Sequence, residues 1–401
     1  MRPEILFLAH RIPFPPNRGD KIRSWHLLQR LARSARVHLA CFADDEADAA
    51  HLAALREALG GALGEAHVEI RRTGRAAAAA RALIERRPVS LTAFDSAALR
   101  GFVAHIVRER PLAAIFAFSG QMAQFVPPGP RFVMDFGDVD SAKFEAYSES
   151  GPAPLRWMMR REAELLSVFE RDTGARADAC LFVSEAEAAL FRGRTGLGNV
   201  AAVSNGIDVD HFDPAADFPR LAAAERGEGP VLLFTGQMDY RPNIEAVTAF
   251  ARDVMPNLPG VRFVVAGRKP APEVLALREA GVIVTGEVDD IRSWLDAADI
   301  VVAPLAIARG IQNKVLEAMA MARPVVASPA AFEGIEAEPG RELVLAAAPE
   351  QAAAIAHLLA HPAKARDIGL AARRRMDADY RWEARLGPLE ALVLSAERAA
   401  A

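Results

Sequence analysis

The sequence predicts an α/β protein made of two doubly wound, mostly parallel sheets. Short apolar runs alternate with Ala-rich helical segments along the whole chain, the pattern of repeated βαβ units. At 401 residues the chain exceeds one ordinary core, so two domains of roughly 200 residues each are expected. The stretch 213–230 holds three prolines, two glycines and six charged residues without a sustained apolar period, and it reads as the linker between the halves. The expected organisation is an N-terminal Rossmann-like domain over 1–212, the linker, and a C-terminal Rossmann-like domain over 231–383. A last helical stretch, 384–401, is expected to return to the first domain.

In the first half, apolar runs place strands at 4–9, 36–42, 67–71, 113–118, 131–135, 179–183 and 200–203, with helices between them, including 20–34 and 47–60. In the second half, strands are expected at 231–235, 261–266, 282–285, 299–303, 324–327 and 342–345. Helices are expected there at 243–254, 271–279, 290–296, 313–321 and 350–359. Ligands of such sheets bind outside the C-terminal ends of the strands. The loops 10–21 and 236–243 each follow the first strand of a half, and both are expected to line a cleft between the domains.

Half of the residues are hydrophobic and a quarter charged, as in a soluble globular protein, and a net charge of −4 gives no global attraction to nucleic acid. Cys41 and Cys180 each sit inside an apolar run, with no spacing for a disulfide or metal site, which points to a reducing cytoplasm. The apolar run Ile5–Ala9 is too short for a signal peptide, and no run reaches the roughly 18 apolar residues that a membrane span requires. Neither a GxSxG elbow nor a GxGxxG fingerprint occurs, which weakens hydrolase and dehydrogenase readings.

Residues 310–328, GIQNKVLEAMAMARPVVAS, are the most informative stretch. A Gly-bearing loop runs into a helix from Asn313, and loop amides with a helix N-terminus form an anion site. Lys314 lies in the first turn, where an ammonium meets a phosphate. Glu317 follows three residues later on the same face, placed to accept hydrogen bonds from a vicinal diol such as ribose. A cation and a carboxylate one turn apart suit a nucleoside diphosphate. Of 48 basic residues only Lys21, Lys143, Lys269, Lys314 and Lys364 are lysines, and two of these five sit in loop-to-helix motifs.

The pattern GxxNKxxEAMAxxxPVVAS resembles the donor-site motif of family 4 glycosyltransferases, closest to the sugar-transferase branch associated with exopolysaccharide and PEP-CTERM clusters in bacteria. Further blocks carry the resemblance: PPNRGDKIRSWHLLQRLA, DFGDVDS, FVSEAEA, SNGIDVDHF and FTGQMDYRPN. It implies a GT-B fold, with two Rossmann-like domains facing a cleft, and a retaining, metal-independent hexosyl transfer from a nucleoside-diphosphate sugar. It also implies a donor site of Gly19, Gly236, Gly267, Arg268, Val288, Arg309, Gly310, Ile311, Gln312 and Asn313, with Lys314, Glu317, Arg241 and Asp138 as catalytic groups. Two departures stand out. Gln237 takes the place of the family's arginine after Gly236, so Arg241 becomes the second phosphate cation. Arg309 takes the place of the first of two glutamates, so loop amides around Gly310–Asn313, or Arg309 itself facing an acidic sugar, must hold the sugar.

The other motifs carry bland readings beside functional ones. In 10–23, HRIPFPPNRGDKIR, three prolines stiffen the loop, Asp20 can cap the following helix, and Arg18, Lys21 and Arg23 make its mouth cationic. It is either an acceptor-side wall or an ordinary β–α connection. Gly267 and Arg268 touch phosphate or merely end a strand, and the backbone at Val288 meets the base edge by resemblance only. Asp138-Val139-Asp140 is formally a metal-binding DxD triplet, but the two-domain pattern favours Asp138 orienting an acceptor hydroxyl, with Asp140 beside it and no metal or other cofactor. His10, His26 and His211 lie near motifs and read equally as packing. Six arginines between Arg71 and Arg87, and the run Trp157–Arg161, are solvated helix faces or surfaces for anionic membrane.

The expected activity is glycosyl transfer to a polysaccharide or lipid-linked hydroxyl acceptor, by a cytoplasmic protein with peripheral contact at the inner membrane and no nucleic-acid partner. The rivals are a nucleotide-sugar epimerase on the same fold and a non-catalytic nucleotide-sugar-binding protein.

Overall fold

The computed structural model describes residues 2–149, 151–308 and 310–395. The chain divides into two compact units, Met1–Ser204 with Leu386–Ala401, and Asn205–Arg385.

The first unit is built on seven strands: β1 (Glu4–Ala9), β2 (Arg36–Ala43), β3 (Leu63–Ile70), β4 (Leu112–Phe118), β5 (Phe132–Gly137), β6 (Ala179–Phe182) and β7 (Val200–Ala202). They pair in parallel in the order β3-β2-β1-β4-β5-β6-β7. The chain winds outward from β1 in one direction and from β4 in the other, so the topological switch lies between these two strands. Residues Ile5–Ala9 are fully shielded from solvent, as expected of a strand covered on both faces. Helix α1 (Gly19–Ser34) returns from β1 to β2, α2 (Arg75–Glu85) follows β3, and α3 (Ala153–Arg176) leads to β6. The expected helix over 47–60 is broken at His51 into Glu46–Ala50 and Leu52–Leu59, and it buries only Leu55.

The second unit has six parallel strands: β8 (Val231–Thr235), β9 (Arg262–Ala266), β10 (Ile283–Gly286), β11 (Ile300–Ala303), β12 (Val325–Ala327) and β13 (Val344–Leu345). Their order, β10-β9-β8-β11-β12-β13, repeats the doubly wound plan, with the switch between β8 and β11. Helix α4 (Arg241–Asp253) follows β8, and α5 (Asn313–Ala320) joins β11 to β12.

Two boundaries differ from the expected ones. The second unit starts at Asn205, because the backbone there is bound to the end of that unit. Ile207 N–H donates to Tyr380 O at 2.7 Å, and a Cβ on Gly206 would lie 2.7 Å from Trp382 Cα, so only glycine allows the approach. The stretch 213–230 is not a free linker either. Phe218 is buried in the second core, with the guanidiniums of Arg220 and Arg292 at 3.8 and 4.9 Å from its ring centroid, and Ser293 Oγ donates to Pro219 O at 2.6 Å. One aromatic among polar residues was too thin a signal to read as core.

The terminal stretch forms Trp382–Arg385, in the second unit, and Leu389–Leu394, in the first. Glu390 accepts from Ser34 Oγ at 2.6 Å at the end of α1, and Arg131 donates to Leu392 O at 3.0 Å. The remainder of the expected helix, 396–401, lies outside the described residues.

Beneath the loops of the first unit lies a buried ion pair, Arg23 with Asp135 at 2.7 Å. Burial pushes the Asp135 carboxyl up despite the guanidinium beside it. Truncating one member removes the countercharge that faces the other in the interior. Asp135→Ala is expected to destabilise the first unit by about 3–5 kcal/mol in urea titrations, and the apolar double replacement Arg23→Met with Asp135→Leu to recover most of that loss. Equal losses in the single and double variants would remove the pair's strain as the cause.

Candidate functional site

The second unit assembles a cationic centre at its switch point. Gly236 leaves β8 at φ 151° and Gly267 leaves β9 at φ 154°, both in the region that favours glycine. A Cβ on Gly267 would stand 1.7 Å from Gly236 O, so these two backbones touch where any side chain would part them. The loops beyond are laced together: Met238 N–H donates to Arg268 O at 2.9 Å, and Ala271 N–H to Met238 O at 3.1 Å.

Against this double loop lies Lys314, in the first turn of α5. Its Nζ donates to Asn243 Oδ1 at 2.7 Å and sits 4.1 Å from the Phe234 ring centroid. The Asn243 amide is oriented by its own donation to Gln237 O at 2.9 Å, which turns the oxygen toward the ammonium. A Cβ on Gly236 would come within 3.2 Å of Lys314 Nζ, so the glycine also keeps the space beside the ammonium clear. Lys314 is 8% exposed, and burial pushes its pKa down to about 7, against the pull of the Glu317 carboxylate. Burial likewise pushes Glu317 up to about 7, with Lys314 opposing. Both groups are therefore poised to exchange protons near neutrality.

The loop before α5 completes this centre. Gly310 adopts φ 63°, Ile311 is 8% exposed, and Gln312 precedes the helix without capping it through its side chain. Asn313 Oδ1 accepts from Asn205 Nδ2 at 3.2 Å, which braces the helix start from the beginning of the unit. Arg309 lies outside the described residues. Val288 is half-buried in the loop after β10.

Two arginines lie at the loops around this centre, Arg241, expected as the second phosphate cation, and Arg268. Arg241 opens α4, where its Nε donates to Glu245 at 2.6 Å, one turn along the same helix. Arg268 lies on the β9 loop that touches Gly236. It is half-buried, and among the described residues no carboxylate pairs with it. The sequence reading also passed over Phe234, Asn243 and Asn205, which position the lysine and its helix. Asn243 ends the block FTGQMDYRPN and Asn205 is the second residue of SNGIDVDHF, so their motifs were visible while their roles depended on contacts distant in sequence.

The first unit presents different chemistry at its C-terminal strand edge. The expected cationic mouth is neutralised. Asp20 does not cap α1; the preceding residue is Arg18, without a side-chain cap, and Asp20 lies inside the first turn. There it binds Arg11 and Arg18, each at 2.7 Å, and His10 Nε2 at 3.1 Å. Burial opposes ionisation of Asp20, yet these partners hold its carboxyl well below the usual range. Lys21 is 4% exposed and paired with Asp48. Gly19 is exposed at the helix start. His10 Nδ1 is buried without a hydrogen-bond partner, and burial lowers the imidazole pKa despite Asp20.

The triplet after β5 is not arranged as a metal clamp. Asp140 is engaged by Lys143. Glu187 accepts from Val139 N–H at 2.7 Å, and Glu170 from Ser141 N–H at 2.9 Å, so buried carboxylates anchor the loop backbone. Asp138 Oδ1 is buried without a partner, and burial pushes the carboxyl up to about 7, with Lys143 opposing and Glu187 adding to the rise. Such a group can hold or accept a proton at neutral pH. At the end of β4, Ser119 adopts φ 74° without being glycine, a strained conformation beside the first switch point.

With this geometry in view, the likenesses to known proteins fall into place. Residues 229–361 match the family model described as glycosyl transferases group 1. The phosphatidyl-myo-inositol mannosyltransferase of Propionibacterium freudenreichii is 30% identical over 223 residues, 53% of this chain and 55% of that protein. The chain spans about half the length of the curated relatives it matches. Among solved structures, the sucrose-phosphate synthase of Thermosynechococcus elongatus aligns over 97% of both chains with a TM-score of 0.71 and 19% identity. Anabaena HepE in complex with UDP and glucose aligns over 96% of this chain and 97% of its own, with a TM-score of 0.66 and 15% identity. The chain has the GT-B fold, and the match to glycosyl transferases group 1 falls within its second unit.

Proposed function

We propose that the protein transfers a hexose from a nucleoside-diphosphate sugar to an acceptor hydroxyl, as a metal-independent, retaining family 4 glycosyltransferase. The observation that carries this reading is the placement of Lys314 Nζ on Asn243 beside Gly236, at the switch point of the domain matched to glycosyl transferases group 1. The complex of HepE with UDP and glucose supports a nucleotide sugar as donor. Breaking the glycosyl–phosphate bond leaves negative charge on the departing diphosphate. Lys314 and Arg268 supply positive charge there together with the amides at the start of α5, the work a divalent cation does in other folds. Glu317 accepts hydrogen bonds from the ribose diol, and Asp138 orients the acceptor hydroxyl. The match to a phosphatidyl-myo-inositol mannosyltransferase favours a lipid-linked acceptor, as in exopolysaccharide assembly, met at the cytoplasmic face of a membrane.

A panel of radiolabelled nucleotide sugars tests the reaction: acceptor-dependent transfer supports it, whereas interconversion of donors or binding without turnover replaces it with an epimerase or a sensor. Lys314→Met is expected to lower turnover at least about 100-fold while leaving the thermal midpoint unchanged or raised, since burying the ammonium opposes folding. Glu317→Ala is expected to lose turnover similarly, and global unfolding of either variant would make its role structural.

The lysine also sets a pH dependence. The ammonium is the binding form, and burial holds its pKa at about 7 until a diphosphate raises it. Affinity for an intact nucleoside-diphosphate sugar, which has no terminal phosphate to titrate in this range, should then fall as pH rises, about tenfold per unit above about pH 8, with proton uptake on binding. An affinity unchanged to pH 9 would show a permanently charged ligand group instead.

Arg268→Ala should weaken diphosphate binding about 10- to 100-fold and leave nucleoside binding intact, while Arg241→Ala should change it by less than about twofold. The reverse order in calorimetry would restore Arg241 as the second cation.

A further inference from the structure

Four of the nine large hydrophobic residues exposed among the described residues gather on two helices of the first unit. Ile84 is 84% exposed and Leu83 41% at the end of α2, and Trp157 is 57% and Leu155 41% in the first turns of α3. The two helix ends are laced together. Arg161 donates to Ala82 O at 2.9 Å and to Arg87 O at 3.3 Å, and Glu162 accepts from Val89 N–H at 2.7 Å. Trp157 stands one turn before Arg161 on the same face of α3, which brings the indole toward the end of α2.

The charges around this surface differ from those elsewhere in the unit. Arg11, Arg18, Lys21 and Arg23 each face a carboxylate, but Arg86 and Arg160 have none among the described residues, and Arg156 reaches only Ser148 O. From Gly151 to Arg161 the chain carries three arginines and no acid, with the exposed Glu149 and Glu164 only at the borders of that run, and Glu85 is already shared by Arg81 and Arg87. A chain with a net charge of −4 thus keeps a local surplus of positive charge where it exposes its apolar tips.

We propose that this surface, formed by the end of α2 and the start of α3, docks on an anionic lipid bilayer. The proposal rests on the lipid-linked acceptor of the preceding section and says where that acceptor is met. Aliphatic side chains and an indole enter the boundary between headgroup and acyl chain, while guanidiniums beside them take lipid phosphates. A second copy of the chain is a poorer occupant, since a twofold contact would set Arg86 and Arg160 against like charges. The location is suited to the task. α2 follows the C-terminal end of β3, and the 24 residues of α3 span ~36 Å against ~20 Å for β5, so the start of α3 overhangs the strand edge that bears Asp138.

Co-sedimentation with vesicles tests this without donor or turnover. The wild-type protein should bind phosphatidylglycerol–phosphatidylethanolamine vesicles, more weakly as salt rises, and not pure phosphatidylcholine. Its tryptophan emission should shift to the blue, because Trp25 and Trp382 are already buried and Trp157 is the one on this surface. Arg86→Gln with Arg160→Gln should cost about 30-fold in partitioning. Ile84→Ser with Trp157→Ser should cost at least about tenfold and abolish the shift. Both variants should keep the wild-type melting curve and nucleoside-diphosphate binding, so a failure here is separable from failure of the glycosyl-transfer reading. No affinity of the wild type for anionic vesicles, or undiminished affinity of the variants, overturns the proposal. So does a concentration-dependent dimer that the same substitutions dissolve.

Discussion

The contact on which the second unit's site depends is the hydrogen bond from Lys314 Nζ to Asn243 Oδ1. An ammonium removed from water needs a partner or surrenders its proton. Here the partner is a neutral amide, with an aromatic ring on another side and a carboxyl one turn away, so the charge is held but not cancelled. The rest of the site follows from that need. Asn243 must point its oxygen inward, which its bond to Gln237 O enforces, and residue 236 must lack a side chain, because a Cβ there would crowd both groups. Residue 267 must lack one too, since its Cβ would strike the carbonyl of Gly236. A buried cation left partly unsatisfied is a receptor for an anion, and its position outside the strand ends at the switch between β8 and β11 is where this architecture places ligands.

The first unit handles charge in the opposite way. At its strand ends Asp20, Asp44, Asp48 and Asp135 take up Arg11, Arg18, Lys21 and Arg23. Beside these pairs, Nδ1 of His10 and Oδ1 of Asp138 are buried without a hydrogen-bond partner. One unit thus keeps a cation in reserve and the other keeps proton acceptors, a division that matches a leaving diphosphate on one side and an acceptor hydroxyl on the other under the proposed reaction. The surplus of positive charge in the first unit lies away from these loops, on the surface of Ile84 and Trp157.

Much of the architecture was legible because buried parallel strands are nearly continuous apolar runs. The runs at 4–9 and 231–235 mark β1 and β8 to the residue, and the helix beginning at Asn313 was visible from its flanking Gly and Pro. Reading failed where a single residue decides the packing. Phe218 anchors 213–230 in the second core, and Gly206 allows the close approach to Trp382 at the start of a unit that begins at Asn205. It failed again over partners. Asp20 has the composition of a helix cap, and only the folded chain turns it toward His10, Arg11 and Arg18. Arg241 stands in a loop-to-helix motif, and only the folded chain shows its guanidinium turned to Glu245, a helical turn away.

By itself the amino-acid sequence determined the periodicities, and hence two parallel sheets, together with the residue types that stand at the end of each strand. Those are local properties, set by spacing along one segment. Which charges cancel and which remain was decided by tertiary structure, because the neutralising partner of Lys21 is 27 residues away and the amide that holds Lys314 is 71 residues away. Charge at a site is a sum over neighbours in space, and that sum is not written in any single stretch of chain.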